Sequence, residues 1–224
     1  RERLARQLRR DGKVVVWLYA PGYLQDEPGL EHMSDLTGIT FDKGDHAWGP
    51  LVHILDFEHP ITRDLSQDLF WGTNARINPV FHVEDPAART LGQVVYSQGR
   101  CKPGFVLKEF PEWSSLYSAA PNIPAPVLRG IARWAGVHIY NDQGDVLYAA
   151  RELLAVHTVA GGEREFVLPS RVEVVYDLYG AREIAAHTAR FAINLPKESS
   201  HLYYIGDRAK LGTLPEFRTG KGAH

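Results

Sequence analysis

The segment from Lys13 to Tyr19 (KVVVWLY) is apolar almost throughout. A run of that kind predicts a strand covered on both faces, as in a parallel sheet. Before it, Leu4 and Leu8 share one face of a helix over residues 1–10, which Asp11 and Gly12 end. Helix, short turn and apolar strand make the second half of a βαβ unit. The strand that should precede the helix is missing, which reads as a truncation.

Beyond a turn at Ala20, Pro21 and Gly22, the stretch 23–50 is irregular, with a short helix predicted from His32 to the cap Gly38. Strands are predicted at 51–55, 80–83, 91–96 and 105–108. Pro124 and Pro126 open a helix over Ala125–Ala135 that Gly136 closes, and Val137–Tyr140 reads as the next strand. After Asp142 the rhythm changes to short strands at 146–149, 153–158, 165–168, 172–177, 188–195 and 201–205, separated by turn residues such as Gly161 and Gly162. This predicts an α/β layer over 1–142, a small β-sandwich-like domain over 143–206, and a loose tail over 207–224.

Composition narrows the function classes. The chain has 224 residues, 44% hydrophobic and 23% charged, as a folded globular protein does. A net charge of -2 gives no basic footprint for nucleic acid or for an anionic membrane. No apolar run reaches the ~20 residues of a membrane-spanning helix, and the opening helix lacks the apolar core of a signal peptide. These features favour a soluble, cytoplasmic protein, although a single cysteine does not decide the compartment.

Several residues invite chemistry. Arg100 and Lys102 flank Cys101, so two cations are available to activate its thiol, but a plain turn cysteine is the preferred reading. His82 and Glu84 have the spacing of a triad's His–carboxylate pair, but without a nucleophile they are better read as a strand end where Asp85 and Pro86 turn the chain. His53, Asp56, Glu58 and His59 form the densest group of possible metal ligands, better read as a solvated edge, and no metal or other cofactor is expected. His138 and His157 lie in apolar strands and are expected to be hydrogen-bonded core or interface residues. Glycine spacing gives no dinucleotide or phosphate cradle. Trp48, Trp71 and Trp113 are candidates for a sugar-stacking platform, with Ser114, Ser115 and Tyr117 beside Trp113, although packing at the junction is the preferred reading of Trp113.

The run Trp113–Ser118 (WSSLYS), Pro124–Tyr140 (PAPVLRGIARWAGVHIY), Gly144–Tyr148, Leu153–His157 and Glu165–Pro169 resembles the C-terminal part of clan-A glycoside hydrolases of the family-42 β-galactosidase group. Val14–Gly22 with Tyr23, Met33–Gly38, and Glu58–Thr62 with Leu65 extend the resemblance, which covers Lys13 to Ile205. It implies a flavodoxin-like α/β domain related to class I glutamine amidotransferases, known in that group as the trimerisation domain, followed by a β-sandwich. The catalytic barrel and its two carboxylates would then lie N-terminal to Arg1. The implied role is a non-catalytic accessory or oligomerisation region, partnered by the barrel and by further copies of the chain. The alternatives are a carbohydrate-binding module and a free-standing amidotransferase-like hydrolase. The resemblance puts the amidotransferase nucleophile at Tyr19–Gly22, where there is no Cys, Ser or Thr. Tyr19, Pro21, Gly22 and Tyr23, with Trp113, Ser114 and Tyr117, remain candidates for contact with a ligand or a neighbouring domain.

Overall fold

The computed structural model describes residues 2–25, 27–45, 49–97 and 99–213. The chain divides into two compact units, Arg1–Val137 and His138–His224. Strand makes up 45% and helix 14%, so the predicted α/β flavodoxin-like layer is not what forms.

The first unit contains α1 (Glu2–Leu8), β1 (Lys13–Leu18), α2 (Leu30–Thr37), β2 (Phe41–Gly44), β3 (Leu51–Ile54), β4 (Phe70–Gly72), β5 (Val80–Val83), β6 (Arg89–Tyr96), β7 (Arg100–Glu109), β8 (Trp113–Ser118) and α3 (Ala125–Trp134). One sheet runs in the order β1-β8-β7-β6-β3-β4, and β2 with β5 forms a separate ribbon. Only the β1–β8 pair of the six-stranded sheet is parallel. The reason is connectivity: β6, β7 and β8 follow one another through tight turns, and tight turns join antiparallel strands, whereas a parallel layer needs a long crossover each time. The apolar β1 is therefore an edge strand paired on one side. Only Trp17 in it is buried, and Leu18 is 48% exposed.

α2 forms where the pattern predicts it and ends on Gly38, whose φ of 72° is the left-handed value that favours glycine and whose N–H bonds the Ser34 carbonyl. α1 buries no residue despite the Leu4 and Leu8 spacing. The helix α3 lies so close to the preceding chain that a Cβ on Gly130 would sit 2.2 Å from the Ile61 carbonyl oxygen. Met33, Ile39, Phe81, Phe105 and Leu116 are fully enclosed in a core shared by the sheet, the ribbon and the helices.

The second unit is all-β: β9 (Val146–Ala150), β10 (Leu153–Thr158), β11 (Gly162–Asp177), β12 (Arg182–Leu195) and β13 (Ser199–Gly206), with a single turn of helix, α4 (Arg208–Leu211). Its strands form one antiparallel sheet, β12-β11-β13-β10-β9, in place of two stacked sheets. The strands predicted at 165–168 and 172–177 are one 16-residue strand, irregular in register between Val167 and Val172. Phe166 pairs across from Phe191 with ring centroids 4.9 Å apart, and Tyr203 packs edge-on against Phe191 at 5.6 Å. The predicted strand at 137–140 does not form. His138 there is exposed, with Nε2 2.8 Å from the Val167 carbonyl, and His157 is exposed beside Ser200, so neither is a core histidine. Of the predicted tail, residues 214–224 lie outside the described residues.

Candidate functional site

The parallel pairing of β1 and β8 brings two strand ends together. Just past β1, Tyr19 donates its N–H to the Ser118 carbonyl and takes φ 58°, a conformation bulky side chains rarely adopt. The surrounding residues hold it there. The Tyr117 hydroxyl, fully buried, donates to the Tyr19 carbonyl at 2.8 Å and lies 3.3 Å from the Phe81 carbonyl. The Tyr19 hydroxyl donates to the Pro79 carbonyl at 2.8 Å, and the rings of Tyr19 and Tyr23 both pack on Phe81. Gly22, at φ 77°, lies against α2, where an added Cβ would come within 3.2 Å of the His32 carbonyl oxygen. Pro21 is half-buried between them, and the turn is flanked by the exposed side chains of Leu18 and Leu24, the latter 77% accessible.

This turn has no nucleophilic chemistry. Burial, and then the neighbouring Tyr23, raise the Tyr19 pKa; burial, and then Tyr19, hold the Tyr117 pKa well above the ordinary phenol value. Both phenols stay protonated at neutral pH and serve as hydrogen-bond donors.

The Trp113–Ser118 run that carries the family resemblance turns out to face inward. Ser115 accepts the Trp17 indole N–H and Ser118 accepts that of Trp71, both at 3.0 Å. Trp113 stacks on Phe110 at 4.7 Å, with the Arg9 guanidinium over its ring, and Ser114 is half-buried opposite Val14. Trp71 and Trp113 are 4% and 7% exposed, too little to offer a stacking face to a sugar. Trp48 lies outside the described residues.

Cys101 is exposed on β7, with Sγ bonded to the Gly99 carbonyl. It does not join His82 and Glu84: Lys102, the next residue, projects from the opposite face of the strand and is the one that bonds Glu84, at 2.7 Å. The group around His82 instead includes Asp42, a residue the sequence pattern does not single out. Asp42 lies directly across from His82 in the antiparallel β2–β5 register, and Glu84 is two residues along on the same face. One ligand atom from each of the three falls within 4.8 Å of the others. His82 is 2% exposed; its Nδ1 is 3.5 Å from Glu84 Oε1 and has no hydrogen-bond partner. Burial first, and then Lys102, lower the His82 pKa against the opposing pull of Asp42 and Glu84, which keeps the ring neutral.

The second histidine group is structural. Asp56 pairs with Arg89 at 2.7 Å and accepts the Glu58 N–H, while buried His59 accepts the Ile61 N–H on Nδ1 and packs against Trp134. In the second unit a concavity of about 520 Å³ is lined by Asn141, Gln143, Glu163, Glu165 and Arg190, among others. Its polar groups largely bond one another: Gln143 donates to the Glu163 carbonyl and accepts the Glu165 N–H. Among the described residues no helix is long and apolar enough to cross a membrane.

No family model and no curated protein matches the chain. Solved structures do. The β-galactosidase from Bacillus circulans sp. alkalophilus is 16% identical, with a TM-score of 0.55 over 92% of this chain and 30% of its own. The cold-adapted β-galactosidase from Rahnella sp. R3 is 13% identical, with a TM-score of 0.59 over 90% of this chain and 30% of its own. Gan42B, a GH42 β-galactosidase from G. stearothermophilus, is 14% identical, with a TM-score of 0.56 over 90% of this chain and 29% of its own. At these identities the likeness is one of fold: the chain spans about 30% of the length of the β-galactosidases it matches, and it has the fold of that part of them.

Proposed function

We propose that this chain is a non-catalytic C-terminal accessory region of a glycoside-hydrolase-like protein of the β-galactosidase type. It supports a catalytic barrel and takes part in subunit contacts. The observation that carries this reading is the lopsided coverage: nine-tenths of this chain matches less than a third of each β-galactosidase. The exposed Leu18 and Leu24 beside that turn are the residues we assign to domain contact. Carbohydrate chemistry belongs to the parent protein in this reading, and no acid of this chain is assigned to it.

The test is to read the coding sequence upstream of Arg1. A barrel-sized region with two carboxylates at strand ends is the expected result. A gene that starts within a few codons of Arg1 would contradict the proposal.

A further inference from the structure

We propose that Asp42, His82 and Glu84 bind a divalent transition-metal ion, with zinc as the best-fitting ion. Two strands of the ribbon supply the ligands: Asp42 from β2, His82 from β5 and Glu84 immediately after β5. One imidazole nitrogen and two carboxylates form a mixed N/O set, which suits zinc and its first-row neighbours better than magnesium or calcium.

The geometry is close to what an ion needs. Tetrahedral bonds of ~2.1 Å place neighbouring ligand atoms ~3.4 Å apart. The His82 Nδ1 to Glu84 Oε1 separation is 3.5 Å, and all three ligand atoms fall within 4.8 Å of one another. Asp42 and Glu84 are at exposed positions, where their side chains have room to move and close the remaining distance.

The buried imidazole provides an independent reason. A side chain this enclosed normally has its polar atoms satisfied, and a buried nitrogen without a partner calls for an explanation. His82 Nδ1 has none and lies beside Glu84. The ring is also held in place: it lies parallel to Tyr96 at 6.4 Å, which orients the nitrogen before an ion arrives.

Without an ion, Lys102 takes the Glu84 charge. Its ammonium is 2.7 Å from Glu84 Oε1, the same oxygen that faces His82. Both partners are about half exposed, so the pair is weak and Lys102 can swing into solvent. Lysine and metal therefore compete for Glu84. The ion would tie β2 to β5, a two-stranded ribbon of only four residue pairs. The site does not depend on the proposed parent protein and stands or falls separately.

The experiment is zinc titration of the purified full chain by calorimetry, with thermal unfolding followed in parallel. The expected result is one high-affinity equivalent and a rise in Tm on adding zinc. Asp42→Asn and Glu84→Gln are both at exposed positions, so they test the ligands without disturbing the core. Each should weaken zinc at least ~tenfold. Lys102→Met removes the competitor and should tighten zinc. His82→Gln should abolish binding; if it unfolds the chain, the two carboxylate variants still decide. No zinc binding would overturn the proposal. So would binding that Asp42→Asn and Glu84→Gln leave unchanged, because the ion would then sit on others of the ten histidines. Weaker binding in Lys102→Met would contradict the competition.

Discussion

In the unit Arg1–Val137 the deepest polar contacts are neutral: serine hydroxyls accept indole N–H groups, and a tyrosine hydroxyl bonds a backbone carbonyl. In the unit His138–His224 the deepest one is ionic. Arg164 Nε and Asp145 Oδ2 are 2.6 Å apart, with side-chain exposures of only 8% and 4%, and Arg164 also donates to Thr158 and to the Glu163 carbonyl. The first unit has helices and a ribbon to close its core. The second has a curled sheet and a smaller enclosed cluster. The two arrangements differ in how they fail. A neutral pair that loses its acceptor leaves one unpaired N–H, while an ion pair that loses its anion leaves a buried charge.

The largest effect is therefore expected in the second unit. Asp145→Ala should destabilise it by about 3–5 kcal/mol, measured by urea unfolding. Replacing Arg164 and Asp145 together by apolar residues of similar size should restore most of that loss. An equal loss in the double variant would show that the pair itself stabilises the fold. Next comes a packing test in the first unit. Gly130→Ala raises helix propensity but drives a Cβ to within 2.2 Å of the Ile61 carbonyl oxygen, so a net loss of about 1–3 kcal/mol is expected. A gain in Tm would mean that α3 is not seated as described. Ser118→Ala strands the Trp71 N–H and should cost about 1–3 kcal/mol in the same assay, less than Asp145→Ala.

The smallest effect is a pH dependence in the first unit. Burial, and then Arg89, lower the His59 pKa below its ordinary 6.5, against Asp56 and Glu109. The unfolded chain then binds the proton more readily, so stability should fall as pH drops below 6.5 and level off beneath the folded value. For Asp85 burial pushes the pKa up, but Lys108 and the Thr40 and Ala87 N–H groups outweigh it, and the net shift is downward. Its contribution is complete above the usual carboxylate range and is lost as pH falls through the lowered value. Both shifts work in the same direction, so acid should weaken the first unit in two stages. Buried His82, whose pKa is lowered likewise, adds to the upper stage, so His59→Gln should shrink that stage without removing it in a pH series of urea unfolding curves, and an unchanged series would contradict the assignment.

Much of the element content was legible in the sequence. Gly38 marks the end of α2, Pro124 marks the start of α3, and alternation after Asp142 marks the strands of the second unit. The sheet type was not. The apolar run of β1 fits a buried parallel strand, yet apolarity reports coverage and not the direction of a neighbour. The tight links between β6, β7 and β8 decide that direction. Trp113 reads as packing ahead of ligand contact and is buried, but a local pattern cannot tell that Ser115 and Ser118 will meet the indoles of Trp17 and Trp71, 98 and 47 residues away. His82 and Glu84 stood out by spacing, but Asp42 joined them only through cross-strand register. Long-range pairing was the missing information in each case.

The proposed role is tested most directly by following hydrolysis of p-nitrophenyl β-D-galactoside by the purified chain. A non-catalytic accessory region should give no turnover above buffer, with the activity appearing only in the product that includes the region encoded upstream of Arg1. Turnover by this chain alone, abolished by replacing one of its own acidic residues, would contradict that role.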